Sequence, residues 1–112
     1  MGVIHPDITK AQTLPSTYYR DENIHLKLMR KFSGSWNFIG LEAALVEGEA
    51  IPVLLGDIPM LLTKQGGIIN CISNVCTHRA MILCDGIKKV NSITCPYHGR
   101  TFSLCGKIKH MP

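Results

Sequence analysis

The chain has 112 residues, of which 46% are apolar, 18% charged and 6% aromatic, and its formal net charge is +4. This profile is typical of one small globular domain and excludes a disordered tail, a fibre and a pair of full-sized domains. The charge is too small to predict nucleic-acid binding, and no apolar stretch approaches the roughly 18 residues that are needed to cross a membrane.

The first segment, residues 1–34, is predicted to be an arm followed by one helix. Two prolines punctuate a polar stretch that runs to Arg20, which indicates extended backbone lying over another part of the protein. From Asp21 to Phe32 the acidic residues come first and the basic residues last, as the helix dipole favours, and the apolar residues share one face. His25 falls on that face, so we expect it to be half-buried and hydrogen-bonded.

The second segment, residues 35–112, is predicted to be an all-β domain. Short apolar runs alternate with turn residues, as they do in a small β-sandwich or barrel. Gln65-Gly66-Gly67 separates two of these runs and predicts a hairpin. The predicted strands are residues 36–39, 50–55, 60–64, 68–72, 92–95 and 101–104.

The five cysteines indicate a reducing compartment. An odd number excludes a complete disulfide framework and favours free thiols or metal ligands. The start of the chain lacks the basic and apolar pattern of a secretory leader, so we expect a cytoplasmic protein. Cys71, Cys84 and Cys105 are predicted to be buried core residues.

Two short motifs carry the candidate chemistry. They are Cys76-x-His78 and Cys95-x-x-His98, with 16 residues between them, and each follows a predicted strand. Two thiolates and two imidazoles suit either a [2Fe–2S] cluster, in which the thiolates hold one iron and the histidines the other, or a structural zinc ion. Zinc motifs usually pair like ligands, whereas each of these motifs pairs unlike ones, which favours the cluster.

The charge of such a cluster indicates its role. Two ferric irons, two sulfides and two thiolates sum to zero when the histidines are neutral, whereas four thiolates would leave a charge of −2. An added electron is therefore accepted more easily, at roughly −150 to +300 mV instead of near −400 mV. The motifs thus predict one-electron transfer.

At these motifs the sequence resembles a known family. N-V-C-T-H-R and C-P-Y-H-G-R-T-F are similar to the Rieske domain of Rieske non-haem iron oxygenases, the large subunits of aromatic-ring-hydroxylating dioxygenases and their monooxygenase relatives. The arm, the helix and residues 35–40 resemble the N-terminal part of that family. The resemblance implies a Rieske-type fold with a cluster-binding subdomain. It also implies that Cys76 and Cys95 ligate the inner iron and that His78 and His98 ligate the outer one.

The same resemblance implies partners. They are a ferredoxin or reductase as electron donor, a catalytic domain of the same or a neighbouring subunit that holds a mononuclear non-haem iron, and further copies in a homo-oligomer. The chain has no D-x2-H-x4-H segment for that iron, so no catalytic residue is assigned. We expect an N-terminal piece of an oxygenase, truncated near the end of its Rieske domain. A free-standing Rieske ferredoxin and a structural zinc module are the alternatives.

Several neighbouring residues depart from related sequences. The oxygenases usually have Gly and Trp where this chain has Ala80 and Arg100, so a left-handed backbone at Ala80 would be strained, and Arg100 adds a cation that favours the reduced state. Arg79 is a candidate for a supporting hydrogen bond. Respiratory Rieske proteins carry a disulfide where this chain has Met81 and Tyr97. They also have hydroxyl groups that hydrogen-bond to the cluster, and the lack of these groups here implies a low reduction potential.

Positive charge is concentrated in the half of the chain that holds the motifs. From residue 64 onward there are seven basic residues and one acidic residue, Asp85, a surplus of +6. This surplus indicates a docking surface for an acidic electron donor. The alternative is an ordinary solvated surface or a face that a neighbouring subunit covers.

Overall fold

The computed structural model describes residues 5–112, which divide into two compact units. The first unit ends at Trp36 and the second is Asn37–Pro112. In the first unit the predicted extended arm is partly wrong, because short 3₁₀ turns form where local hydrogen bonds are available, at Ile8–Lys10 and Ser16–Tyr19. The part of the arm at residues 1–4 lies outside the described residues.

Helix α1 spans Glu22–Ser33 and confirms the predicted helix to within one residue at each end. The Asp21 carboxylate caps it by accepting hydrogen bonds from the amides of Asn23 at 2.8 Å and Ile24 at 3.2 Å. No residue of α1 is buried within the described part of the chain. His25 is itself exposed, so its expected half-burial is wrong.

Two antiparallel sheets form the second unit within residues 37–112, which confirms the all-β prediction. The first sheet has the order β3-β2-β1-β4, and the second has the order β5-β6-β7. Their strands are β1 (Glu49–Leu55), β2 (Ile58–Gln65), β3 (Ile68–Ser73), β4 (Lys88–Lys89), β5 (Ile93–Thr94), β6 (Thr101–Phe102) and β7 (Ile108–His110).

The predicted hairpin joins β2 to β3. Gln65 pairs with Ile68, and the two glycines between them have φ values of 60° and 75°, which residues with a Cβ atom rarely adopt. The Glu47 carboxylate accepts hydrogen bonds from the amides of both Gly66 and Gly67. This register places the end of β3 directly before the first Cys-His motif.

The predicted strand at residues 36–39 is wrong. Trp36 is fully exposed and Phe38 is 81% exposed, and the described elements include no strand at this segment. Apolar residues become a strand only where a neighbouring strand accepts their backbone hydrogen bonds. The predicted strands at residues 92–95 and 101–104 shorten to two residues each, and the two unpredicted strands, β4 and β7, are short and lysine-rich.

The buried core joins the first sheet to the segments that carry the motifs. It comprises Ala50, Leu61, Cys76, Leu83, Cys84, Ile93, Cys95, Phe102 and Leu104. Thr63 on β2 is fully buried, and its hydroxyl donates a hydrogen bond of 2.5 Å to the Leu104 carbonyl. This bond fixes β2 to the turn that follows β6.

Of the three cysteines outside the motifs, only Cys84 is buried as predicted. Cys71 and Cys105 are exposed, so their predicted burial is wrong. On β3, Ile72 packs against the core, and its neighbour Cys71 lies on the opposite face of the strand. Cys105 lies in the turn between β6 and β7, where no second layer covers it.

The buried hydroxyl of Thr63 gives a stability prediction. Thr63→Val keeps the shape of the side chain but leaves the Leu104 carbonyl without this donor, so we expect a loss of about 1–3 kcal/mol. Urea unfolding measures it. Thr94→Val is the matched control, because the Thr94 hydroxyl contacts Thr101 at an exposed position, and its effect should stay below about 0.5 kcal/mol. Equal losses in the two variants would contradict this role of Thr63.

Candidate metal centre

The first motif lies on a loop, residues 76–81, that folds back on its own cysteine. The Cys76 carbonyl accepts a hydrogen bond of 3.0 Å from the Ala80 amide, and the Cys76 amide donates one of 2.8 Å to the Met81 carbonyl. These two bonds close a tight turn. His78 sits in the middle of that turn, two residues after the thiol.

The second motif lies on a loop, residues 95–100, with the same backbone bonds. The Cys95 carbonyl accepts a hydrogen bond of 3.1 Å from the Gly99 amide, and the Cys95 amide donates one of 2.8 Å to the Arg100 carbonyl. The two ligand loops are therefore local copies of one another. They differ in that His98 follows its cysteine by three residues instead of two.

Asn74 anchors the base of the first loop. It is 3% exposed, and its side-chain amide group both donates to the Cys84 carbonyl at 2.7 Å and accepts from the Cys84 amide at 2.9 Å. Its backbone carbonyl accepts from the Leu83 amide at 2.9 Å. Sequence analysis missed this residue, although an amide side chain between a strand and a motif was a signal for such a role.

The two motif cysteines lie side by side in the core. Cys76 is 2% exposed and Cys95 is 3% exposed, and their side chains are close enough to share a hydrogen bond. Burial raises the pKa of Cys95, but the backbone amides of Tyr97 and His98, the Cys76 side chain and the Arg100 charge together hold that pKa below its usual value. The direction of this shift is the one that suits a metal-binding thiolate.

The two motif histidines form a second pair on the solvent side. The ring centres of His78 and His98 are 4.8 Å apart, and both residues are exposed. Desolvation, followed by the nearby charges of His98, Arg100 and Arg79, lowers the pKa of His78. A lowered pKa keeps the imidazole neutral, as a metal ligand must be.

The four predicted ligands thus come together as two pairs, with sulfur inside and nitrogen outside. Within residues 5–112, no three His, Cys, Asp or Glu side chains are placed to hold one ion. A [2Fe–2S] cluster with two thiolates on one iron and two imidazoles on the other needs this division. The residues present therefore fit such a cluster in number, chemical type and placement.

Around the histidine pair lies a surface depression of about 370 Å³, lined by His78, His98, Arg100 and Pro112. Arg100 is half-buried, and its Nη1 donates a hydrogen bond of 3.0 Å to the Thr77 hydroxyl. Sequence analysis singled out Arg100 for its charge and missed this bond. Arg79, for which it expected a supporting hydrogen bond, is exposed and contributes to the site through its charge on His78.

Both ligand loops contain a left-handed residue at the same place. Ala80 has a φ of 54° and Gly99 has a φ of 77°. Glycine adopts this conformation without strain, whereas alanine does not. The strain that the sequence predicted at Ala80 is therefore present.

The chain matches the family described as the Rieske [2Fe-2S] domain over residues 35–112. The chloroplastic choline monooxygenase of Amaranthus tricolor is 37% identical over 99 residues, which cover 86% of this chain and 22% of that protein. The glycine betaine monooxygenase oxygenase subunit of Chromohalobacter salexigens is 34% identical over 100 residues, which cover 86% of this chain and 22% of that protein.

A similar fold occurs in a solved structure, that of a quaternary ammonium Rieske monooxygenase in complex with its substrate L-carnitine. It superposes with a TM-score of 0.83 at 27% sequence identity, over 90% of this chain and 30% of that one. The chain therefore spans about a fifth to a third of the length of these proteins. Among the described residues, no helix is both long and apolar enough to cross a membrane.

The strain at Ala80 gives a second stability prediction. Ala80→Gly relieves a left-handed alanine and should stabilise the protein by roughly 0.5–1 kcal/mol, even after the extra entropy of an unfolded glycine is subtracted. Ala11→Gly is the matched control, because Ala11 is exposed with an ordinary φ of −67°, and it should not stabilise. Thermal unfolding compares the two. A less stable Ala80→Gly variant would contradict the prediction.

Proposed function

Because this chain belongs to the Rieske [2Fe-2S] domain family, we propose that it is the electron-relay part of a Rieske non-haem iron oxygenase. The observation that carries the proposal is the division of the four motif side chains into a buried sulfur pair and an exposed nitrogen pair. This division supports a redox group that would lie near the protein surface on its histidine side. An electron can then enter and leave without crossing the core.

We propose that Cys76 and Cys95 hold the inner iron and that His78 and His98 hold the outer one. The lowered pKa of Cys95 supports its role as a thiolate ligand, and the lowered pKa of His78 supports that of a neutral imidazole ligand. When bound, a cluster of this kind takes up one electron from a donor and passes one electron to an acceptor. The buried cysteines and exposed histidines would hold it, keep water from its sulfur side and leave its nitrogen side accessible.

The remaining parts of the oxygenase belong to the same proposal. The relatives above are three to five times longer than the matched region, so we propose that a catalytic domain, on the same or a neighbouring subunit, holds the mononuclear iron. A ferredoxin or reductase supplies the electron, and the subunits assemble as a homo-oligomer. The cysteines in the described residues are all free, which supports a cytoplasmic location. The domain division at residues 34 and 35 stays a prediction.

Reconstitution tests the ligand assignment. The chain is loaded with iron and sulfide, reduced with dithionite and examined by EPR spectroscopy. We expect a rhombic signal with a low average g value. It should be lost in His98→Ala and changed in His78→Cys, because a thiolate ligand replaces an imidazole. His110→Ala is the matched control, since His110 lies on β7 outside the motifs, and it should keep the signal.

Zinc binding is the outcome that would contradict the assignment. The same four side chains are a common zinc set. A chain that holds zinc, contains no inorganic sulfide and stays colourless would be a structural zinc module. A loaded chain that accepts electrons but supports no oxygenase with any catalytic partner would instead be a free-standing ferredoxin.

Salt dependence tests the docking surface. Lys88, Lys89, Lys107 and Lys109 are all exposed, and Asp85, which pairs with Lys88 at 2.7 Å, neutralises only part of this charge. Steering by such a surface raises association rates about tenfold or more. We therefore expect reduction by an acidic ferredoxin to slow about tenfold when salt rises from low to high concentration. Reduction by a neutral mediator is the control, and an equal response of both donors would contradict a docking role.

A further inference from the structure

The Arg100 side chain connects the two ligand loops. Arg100 belongs to the second loop, where its backbone carbonyl accepts a hydrogen bond from the Cys95 amide. Its guanidinium reaches the first loop, where Nη1 donates a hydrogen bond of 3.0 Å to the hydroxyl of Thr77. Thr77 lies between the thiol and the imidazole of that loop. One side chain thus bridges both motifs at their ligands.

The charge of Arg100 faces the same ligands. Arg100 lines the depression that also contains His78 and His98. Its guanidinium also reaches Thr77, which lies between Cys76 and His78 in the chain. The charge therefore lies close to whatever the two loops hold.

We propose that Arg100 is a positioning residue that ties the two ligand loops together through Thr77 and makes the redox group between them easier to reduce. The inference rests on the proposed function for the identity of that group. An added electron makes the site more negative, and a fixed positive charge beside it favours that state. A guanidinium combines a positive charge with a planar set of donors, so one side chain can supply both the charge and the bond.

The chemistry of arginine separates the two parts of the role. The tryptophan that the related oxygenases usually have here could donate one hydrogen bond but carries no charge. Lysine would keep the charge and lose the planar fork. Glutamine would lose the charge, and its shorter side chain would not reach the Thr77 hydroxyl from the place of Nη1, so it would lose the bond as well. Thr77→Val would lose the bond and keep the charge, so the variants together distinguish the tie from the charge.

The first experiment measures midpoint potentials in the iron- and sulfide-loaded chain. Arg100→Gln should lower the potential, with about a tenfold fall in the equilibrium constant for one-electron reduction, which corresponds to 59 mV. In Arg100→Lys the same equilibrium constant should stay within about threefold of the wild-type value, because the charge is kept. Lys64→Gln is the control: it removes a charge from the hairpin end of β2, at the far end of the sheet from the loops, and should leave the potential unchanged.

The second experiment measures how fast a chelator removes the iron. Thr77→Val removes the acceptor of the bond and should speed the loss of iron about tenfold. Its equilibrium constant for one-electron reduction should stay within about threefold of the wild-type value. Arg100→Gln should speed the loss by a similar factor. The double variant should be no faster than either single variant, since both changes break one bond.

Specific results would overturn the inference. They are a potential in Arg100→Gln that equals that of the wild type, or loss rates whose factors multiply in the double variant. If Arg100→Gln does not take up the cluster, Arg100→Trp, which is also neutral, decides the charge effect in the same way. A wild-type chain that takes up no sulfide would overturn the proposed function and this inference with it. A loaded chain whose midpoint potential is the same in the wild type and in Arg100→Gln would overturn the inference alone.

Discussion

The closure of each ligand loop on its own cysteine is the constraint on which the rest of the site depends. The amide and the carbonyl of Cys76 are both used inside the first loop, and those of Cys95 are both used inside the second. Each thiol is thereby fixed at the base of a turn, facing the core. The two loops repeat the same backbone bonds, and the fold brings their thiols into one buried cluster and their histidines together at the surface.

This arrangement separates the requirements of stability from those of electron transfer. The thiols are part of the core that Leu61 and Leu104 fill, and the buried hydrogen bond from Thr63 holds that core to the first sheet. A group bound by these thiols would therefore also join the two sheets. The imidazoles remain exposed, where the proposed donor or catalytic domain could approach them.

Sequence reasoning succeeded where local chemistry decides the outcome. Helix α1 and the glycine hairpin depend on neighbouring residues, and the strain at Ala80 followed from the resemblance. It failed where distant contacts decide. The segment at residues 36–39 forms no strand in the described structure, and His25 is exposed. The bond from Arg100 to Thr77 joins residues 23 positions apart, which no local pattern reveals.

The central claim is that two buried thiolates hold one iron and two exposed imidazoles hold another. Mössbauer spectroscopy of the chain loaded with ⁵⁷Fe and sulfide tests it most directly, because the method distinguishes irons by their ligands. The account predicts two signals of equal area, one from a sulfur-ligated iron and one from a nitrogen-ligated iron. One signal from equivalent irons, or a chain that retains no iron, would contradict it.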